Sequence, residues 1–147
     1  MINELSSLRG ASTSTQKAEP SVECKGANKK LREDKLHYII YKLSDDKTSI
    51  QVDVEGTTVI YDTFLNDLPP NECRWAVYGI DSSRHRRQST AYLIFFTWTP
   101  SGASAKSKMD YAANTDVVKG TWKRIDVAIE CSSVEEIGYR KLMEHLC

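Results

Sequence analysis

The stretch Lys106-Ser107-Lys108-Met109 sets two ammonium groups and a thioether within a single helical turn. Such a set breaks no bonds, but it is suited to recognition. A methionine is an adaptable apolar anchor, and flanking lysines give it a charged rim, matching a partner groove that is apolar inside and acidic around its edge. The two lysines, being two positions apart, diverge from one helical face and flank the ridge that carries Met109. The same residues also fit a plainer role, with the lysines solvated and Met109 in the core. Residues of reactive type are scattered. His37, His85 and His145 have no Cys, Ser or carboxylate at nucleophile or metal-ligand spacing, and no Gly-rich phosphate loop occurs. The sequence therefore predicts no enzyme, no metal site and no cofactor; His37 reads as a sheet residue and Cys73 as a core thiol.

The elements that must position the ridge can be read along the chain. "YLIFFTWT" is apolar on both faces, as expected of a central strand covered by helices on both sides. Pro100 ends it, and Ser101 or Ser104 in "SGAS" offers an N-cap for a long helix from about Ala103 to Lys123. Upstream, "VECKGANKKLREDK" predicts a helix with a thin apolar face of Val22, Ala27 and Leu31, weakened by Gly26 and Asn28. "LHYIIYKL" and "TSIQVDVE" flank the turn signal "SDDK" and read as a hairpin. "YDTFLNDLPP" is a short helix stopped by Pro69 and Pro70, and "CRWAVYGID" is a strand. After the long helix, "RIDVAIE" alternates as a fifth strand. Ser133-x-x-Glu136 reads as a capping box, opening a last helix with the stripe Val134, Ile137, Leu142 and Leu146. The order predicts an α/β protein of the α+β type, a central mixed five-stranded sheet sandwiched between helices.

Composition bounds the function. The 147 residues suit one domain, and 20 Lys and Arg balance 20 Asp and Glu, so no overall field drives the chain onto nucleic acid. No apolar run approaches the roughly 20 residues of a membrane-spanning helix, and no secretory signal is evident, so a soluble, cytoplasmic monomer is expected. Cys24, Cys73, Cys131 and Cys147 lack paired spacing, which points to free thiols in a reducing compartment. Residues 1–21, small and polar, are expected to form a flexible arm, with the domain spanning 22–147.

Four segments carry a resemblance: "YDTFLNDLPPNECRWAVYGID", "LIFFTWTP", "KSKMDYAA" and "EEIGYRKLMEHL". In this order and at these separations the chain resembles the cofilin and actin-depolymerising factor family from about Cys24 to its C-terminus. The resemblance implies the actin-depolymerising-factor homology fold. It also implies actin as partner, with promotion of filament depolymerisation and turnover, severing included. In that family the positions matching Lys106, Lys108 and Met109 contact actin in a cleft between two of its subdomains, and Glu136 matches a carboxylate near the last helix. The family also meets phosphoinositide headgroups, which implies a role for Lys106, Lys108, Lys119, Lys123 and Arg124; an ordinary solvated helix is the alternative for the same cations.

Departures from the family pattern are as informative. The family's second surface, used on filaments, has basic residues before the "FFTW" strand and at the end of the last helix. Here Thr90 and Tyr92 occupy the strand positions, and the last helix offers Lys141 and His145. That surface reads as depleted, so stronger action on monomers than on filaments is expected. Arg84, Arg86 and Arg87 in the adjacent loop are candidate replacements, although an arginine cluster in a loop also fits a solvated patch. Ser133 stands where the family often has an acid, Asp110 where it has an aliphatic residue and Asn28 where it has an aromatic. With Gly120, expected to interrupt the long helix at about 1 kcal/mol, these changes predict a less stable copy, either specialised or decaying. Ser6, Ser7, Ser12 and Ser14 precede the domain without the family's "SGVxV" phosphorylation context. Two rivals share the fold: a relative that binds the filament-branching complex, as glia maturation factor does, or filament sides without severing, as coactosin does. A scaffold that has lost actin binding is a third.

Overall fold

Alternating apolar residues in the strands send side chains to two opposite faces, and helices cover both. In the computed structural model, which describes residues 17–80 and 92–146 and side chains as far as Glu144, the sheet has six strands. They are β1 (Glu19–Pro20), β2 (Tyr38–Leu43), β3 (Ser49–Gly56), β4 (Arg74–Ile80), β5 (Tyr92–Trp98) and β6 (Val127–Cys131), in the spatial order β1-β3-β2-β4-β5-β6. The helices are α1 (Val22–Arg32), α2 (Tyr61–Asp67), α3 (Ala105–Lys119) and α4 (Tyr139–Leu146), with a 3₁₀ turn over Val134–Ile137.

The sixth strand corrects the expected five. Glu19 and Pro20 pair in parallel with Ser49 and Ile50 at the sheet edge, where a proline costs no ladder bond. Glu19 N–H donates to Thr48 O and Ser21 N–H to Ile50 O. Ala18 is buried and its N–H donates to Asn114 Oδ1 at 2.8 Å. The chain is therefore packed on the domain from Lys17, five residues before the expected start at Val22; the arm's residues 1–16 lie outside the described residues. Dipeptide strands carry too little pattern to be read from sequence.

β2 and β3 form the expected hairpin, with a register shift between Ile40 and Tyr41. Its turn is organised by Asp46 Oδ1, which accepts from Ser44 Oγ, Thr48 N–H and Thr48 Oγ1. Those bonds, from Thr48 first, hold the Asp46 carboxyl down at about 2. Lys47 takes φ 65° to close the turn. Opposite Tyr38 stands Gly56, where a Cβ would lie 2.1 Å from the tyrosine ring.

β4 and β5 pair antiparallel along all seven residues, from Arg74 with Trp98 to Ile80 with Tyr92. Trp75, Val77, Leu93 and Phe95 face one core, closed by Cys24, Ala27 and Leu31 of α1 and by Tyr111 and Val118 of α3. Ala76, Tyr78, Ile94, Phe96 and Trp98 face the other, closed by Tyr61 and Phe64 of α2, Ile137 and Leu142. The expected apolar face of α1 is corrected at Val22, which is 87% exposed; Cys24 and Asn28 take its place. Among the described residues, no helix is long and apolar enough to cross a membrane.

Candidate partner-binding surface

The ridge is built where β5 stops. Pro100 is buried, Ala103 N–H donates to Pro100 O at 3.0 Å, and Ser104 Oγ accepts from Ser107 N–H at 3.0 Å as the N-cap of α3. Gly102 lies so close to the Asn71 side chain that a Cβ there would fall 2.0 Å from its Oδ1. α3 is shorter than expected. It starts at Ala105 and ends at Lys119, so Gly120 lies just past the last turn and interrupts nothing.

One stripe of α3 faces the sheet: Tyr111, Asn114 and Val118, followed by Trp122. Tyr111 packs on Trp75 with ring centroids 4.4 Å apart, and its hydroxyl accepts from Leu43 N–H at 2.9 Å. Trp75 Nε1 donates to Thr115 Oγ1 at 3.1 Å. With that stripe fixed, the opposite stripe must point away. Met109 is 65% exposed and is no core residue. Lys106 is exposed and paired with Asp110, at 3.3 and 3.4 Å to its two oxygens, while Lys108 is half-buried beside the ridge.

Glu136 lies on the 3₁₀ turn that follows β6, the strand beside β5. β6 runs parallel to β5, pairing Trp98 with Cys131, and Thr99 N–H donates to Cys131 O at 2.9 Å. The starts of α3 and of the 3₁₀ turn therefore follow neighbouring strand ends. Glu136 is exposed, but the expected capping box is displaced: its carboxylate accepts from Ser132 N–H and Ser132 Oγ, and Ser133 makes no side-chain cap. A 3₁₀ turn closes there instead, and α4 begins only at Tyr139. Ile137 and Leu142 of the expected stripe are fully buried, and Val134 is half-buried.

The five cations expected at a phosphoinositide do not form one cluster. Lys106 and Lys108 sit at the start of α3, and Lys119 lies 13 positions further on, about 20 Å along the axis. Lys119 Nζ stands 5.8 Å above the Phe95 ring. Lys123 and Arg124 border a cavity of about 460 Å³ that is also lined by Leu31, Arg32, Leu93, Thr121 and Trp122. Arg32, over the Trp122 ring at 5.9 Å, is a member of this basic end that sequence reading missed, because its neighbours lie some 90 positions away. Arg124 pairs with Asp126.

Of the expected filament contacts, Lys141 is exposed on α4. Arg84, Arg86, Arg87 and Thr90 lie outside the described residues, as does the side chain of His145. Tyr92 is half-buried at the start of β5, against Ile80 of β4. His37 is held at the sheet margin, its N–H donating to Gly56 O and its carbonyl accepting from Gly79 N–H. Cys24, Cys73 and Cys131 are buried free thiols, and burial, aided by Glu136 and Glu130, pushes Cys131 up to about 12. Among the described residues, no cluster of His, Cys, Asp and Glu is placed to hold a metal.

A second feature that the sequence did not disclose is a buried polar network. Tyr41 hydroxyl donates to Asn28 Oδ1 and accepts from Trp122 Nε1 at 3.0 Å, while Asn28 Nδ2 donates to Thr121 Oγ1 at 3.0 Å. Asn28, expected to weaken α1, instead joins α1, β2 and the end of α3.

Comparison with known proteins supplies the context for this geometry. Residues 17–147 match the model of the family described as cofilin/tropomyosin-type actin-binding protein. Cofilin of Yarrowia lipolytica is 42% identical over 115 residues, covering 76% of this chain and 74% of the relative. Cofilin of Schizosaccharomyces pombe is 34% identical over 125 residues, covering 84% and 90%. The crystal structure of Streptomyces griseoflavus cofilin superposes with a TM-score of 0.79 at 32% identity, covering 86% of this chain and 95% of that one.

Proposed function

Since this chain belongs to the cofilin and actin-depolymerising factor family, whose members bind actin rather than catalyse a reaction, we propose that it binds monomeric actin through the α3 ridge and so promotes filament turnover. Met109 is the anchor, Lys106 and Lys108 form its charged rim, and Glu136 adds a carboxylate from the neighbouring strand end. The observation that carries this reading is the 65% exposure of Met109 on a helix whose other face is locked to the sheet. Burying a methionine removes about 1.5–3 kcal/mol of apolar exposure, and a helix that is already rigid loses little ordering entropy on docking. Binding shifts the conformational equilibrium of actin by the differential affinity for its states.

Action on monomers is expected to exceed action on filaments, because Thr90 and Tyr92 stand where the family's filament surface is basic. The protein would act as a monomer in the cytoplasm, on the actin cytoskeleton. Co-sedimentation with filamentous actin, run beside a monomer-binding assay, tests this. Tight monomer binding with weak filament loss is the expected result; efficient severing at low protein concentration contradicts it. The basic end of α3 favours a second, anionic partner. Lys119, Lys123 and Arg124, with Arg32 added, suit a phosphoinositide headgroup, whereas Lys106 and Lys108 are too far along the helix to share it. Binding to phosphoinositide vesicles that survives Lys106→Ala with Lys108→Ala, and is lost with Lys123→Ala and Arg124→Ala, is the expected pattern.

A further inference from the structure

The two lysines of the ridge are not equivalent. Lys106 Nζ lies 3.3 Å from Asp110 Oδ1 and 3.4 Å from Oδ2, so both carboxylate oxygens face it. The Lys106 side chain is 80% exposed but the Asp110 side chain only 13%, so the fixed partner is the carboxylate. The Asp110 backbone is anchored as well: its main-chain carbonyl accepts from Asn114 Nδ2 at 2.9 Å, and Asn114 Oδ1 accepts from Ala18 N–H at 2.8 Å. Lys108 has no ion pair among the described residues.

We infer that Asp110 is a specificity-determining residue of the ridge. It draws Lys106 back along the helix and reduces the charge beside Met109 from two positive to a net one. Lys108 is left as the leading cationic contact. The consequence is a built-in brake on association with an acidic surface. Binding must either strip Lys106 from Asp110 or bring a half-buried carboxylate toward the partner's own acids, and each costs affinity and steering. This inference rests on the actin reading of the same ridge.

The test is the affinity for monomeric actin of the wild type, Asp110→Asn, Lys106→Gln and the double variant, each at low and high salt. Because an exposed pair at this spacing is weak, the expected gain for Asp110→Asn is about two- to threefold at low salt. It should come with a steeper fall as salt rises and shrink in the Lys106→Gln background, where only the carboxylate's own repulsion is removed; Asp110→Glu should restore wild-type binding. A merely structural Asp110 would change the melting temperature and leave the salt slope alone. Equal or weaker binding by Asp110→Asn, or the same gain without Lys106, overturns the inference while leaving the actin reading intact. A wild type that does not bind actin overturns both.

Discussion

The two ends of α3 are built on opposite plans. The start of the helix offers Met109 and Lys106 to solvent, beside the Ser104 cap and the Asp110 pair. Beyond its end, Trp122 is buried, and its indole N–H belongs to a network with Tyr41, Asn28 and Thr121. An amphipathic helix distributes burial around its circumference; here burial is also graded along the length. Rigidity is supplied at the far end, and exposure is kept at the end where actin is expected to dock. A helix fixed at one end and along its middle presents an anchor with little ordering left to do.

Breaking the fixed end should have the largest effect. Trp122→Ala removes the indole and one partner of Tyr41, and large-to-small core changes of this kind cost about 3–5 kcal/mol; chemical denaturation should show a midpoint shift of that order without a changed slope. Asn28→Ala is a subtler break. It leaves the Tyr41 hydroxyl and Thr121 without their buried partner, at about 1–3 kcal/mol, and the same titration measures it. If Asn28 were the weak point that its helix propensity suggests, alanine would stabilise α1 instead. Gly102→Ala sharpens the comparison at the exposed end, because the new methyl group meets the end of the exposed Asn71 side chain, which can turn aside. Monomer binding and melting temperature should both stay near wild type, in contrast to the loss of stability in Asn28→Ala.

A small effect is also expected from electrostatics remote from both ends. The Asp46 carboxyl is held down at about 2 by Thr48 and Ser44. A depressed carboxyl stabilises the fold above its ordinary value of 3.8, and that contribution is lost as pH falls toward 2. Asp46→Asn should flatten this stretch of the acid-unfolding curve and cost a small part of the stability at neutral pH, where the carboxylate's contribution is fully present.

Much of the fold was legible because strand and helix periods speak locally. The buried run of β5, the turn chemistry of "SDDK" and the prolines after α2 each sit beside the element they define. What escaped depended on distant partners. β1 is two residues whose only pattern is the edge they pair with, and Ala18 is fixed by Asn114, 96 positions away. Asn28 looks like a helix breaker until Tyr41 and Thr121 are placed around it. Ser133-x-x-Glu136 matched a capping box in spacing, yet a 3₁₀ turn moved the bond to Ser132. At the site itself, motif and resemblance named the ridge residues, but only the packing of Tyr111, Asn114 and Val118 decides that Met109 faces out. The division of the five cations between two ends of one helix was likewise invisible until the helix had its length.

The most direct test of the account compares Met109→Ala with the wild type for binding to monomeric actin, alongside the melting temperature of each. Because Met109 is exposed and touches no core, the two proteins should melt alike, within about 0.5 kcal/mol. Losing the anchor should weaken binding by about tenfold, in keeping with the truncation of a central apolar contact. Unchanged affinity at unchanged stability would contradict the account, because the ridge would then be exposed without being used.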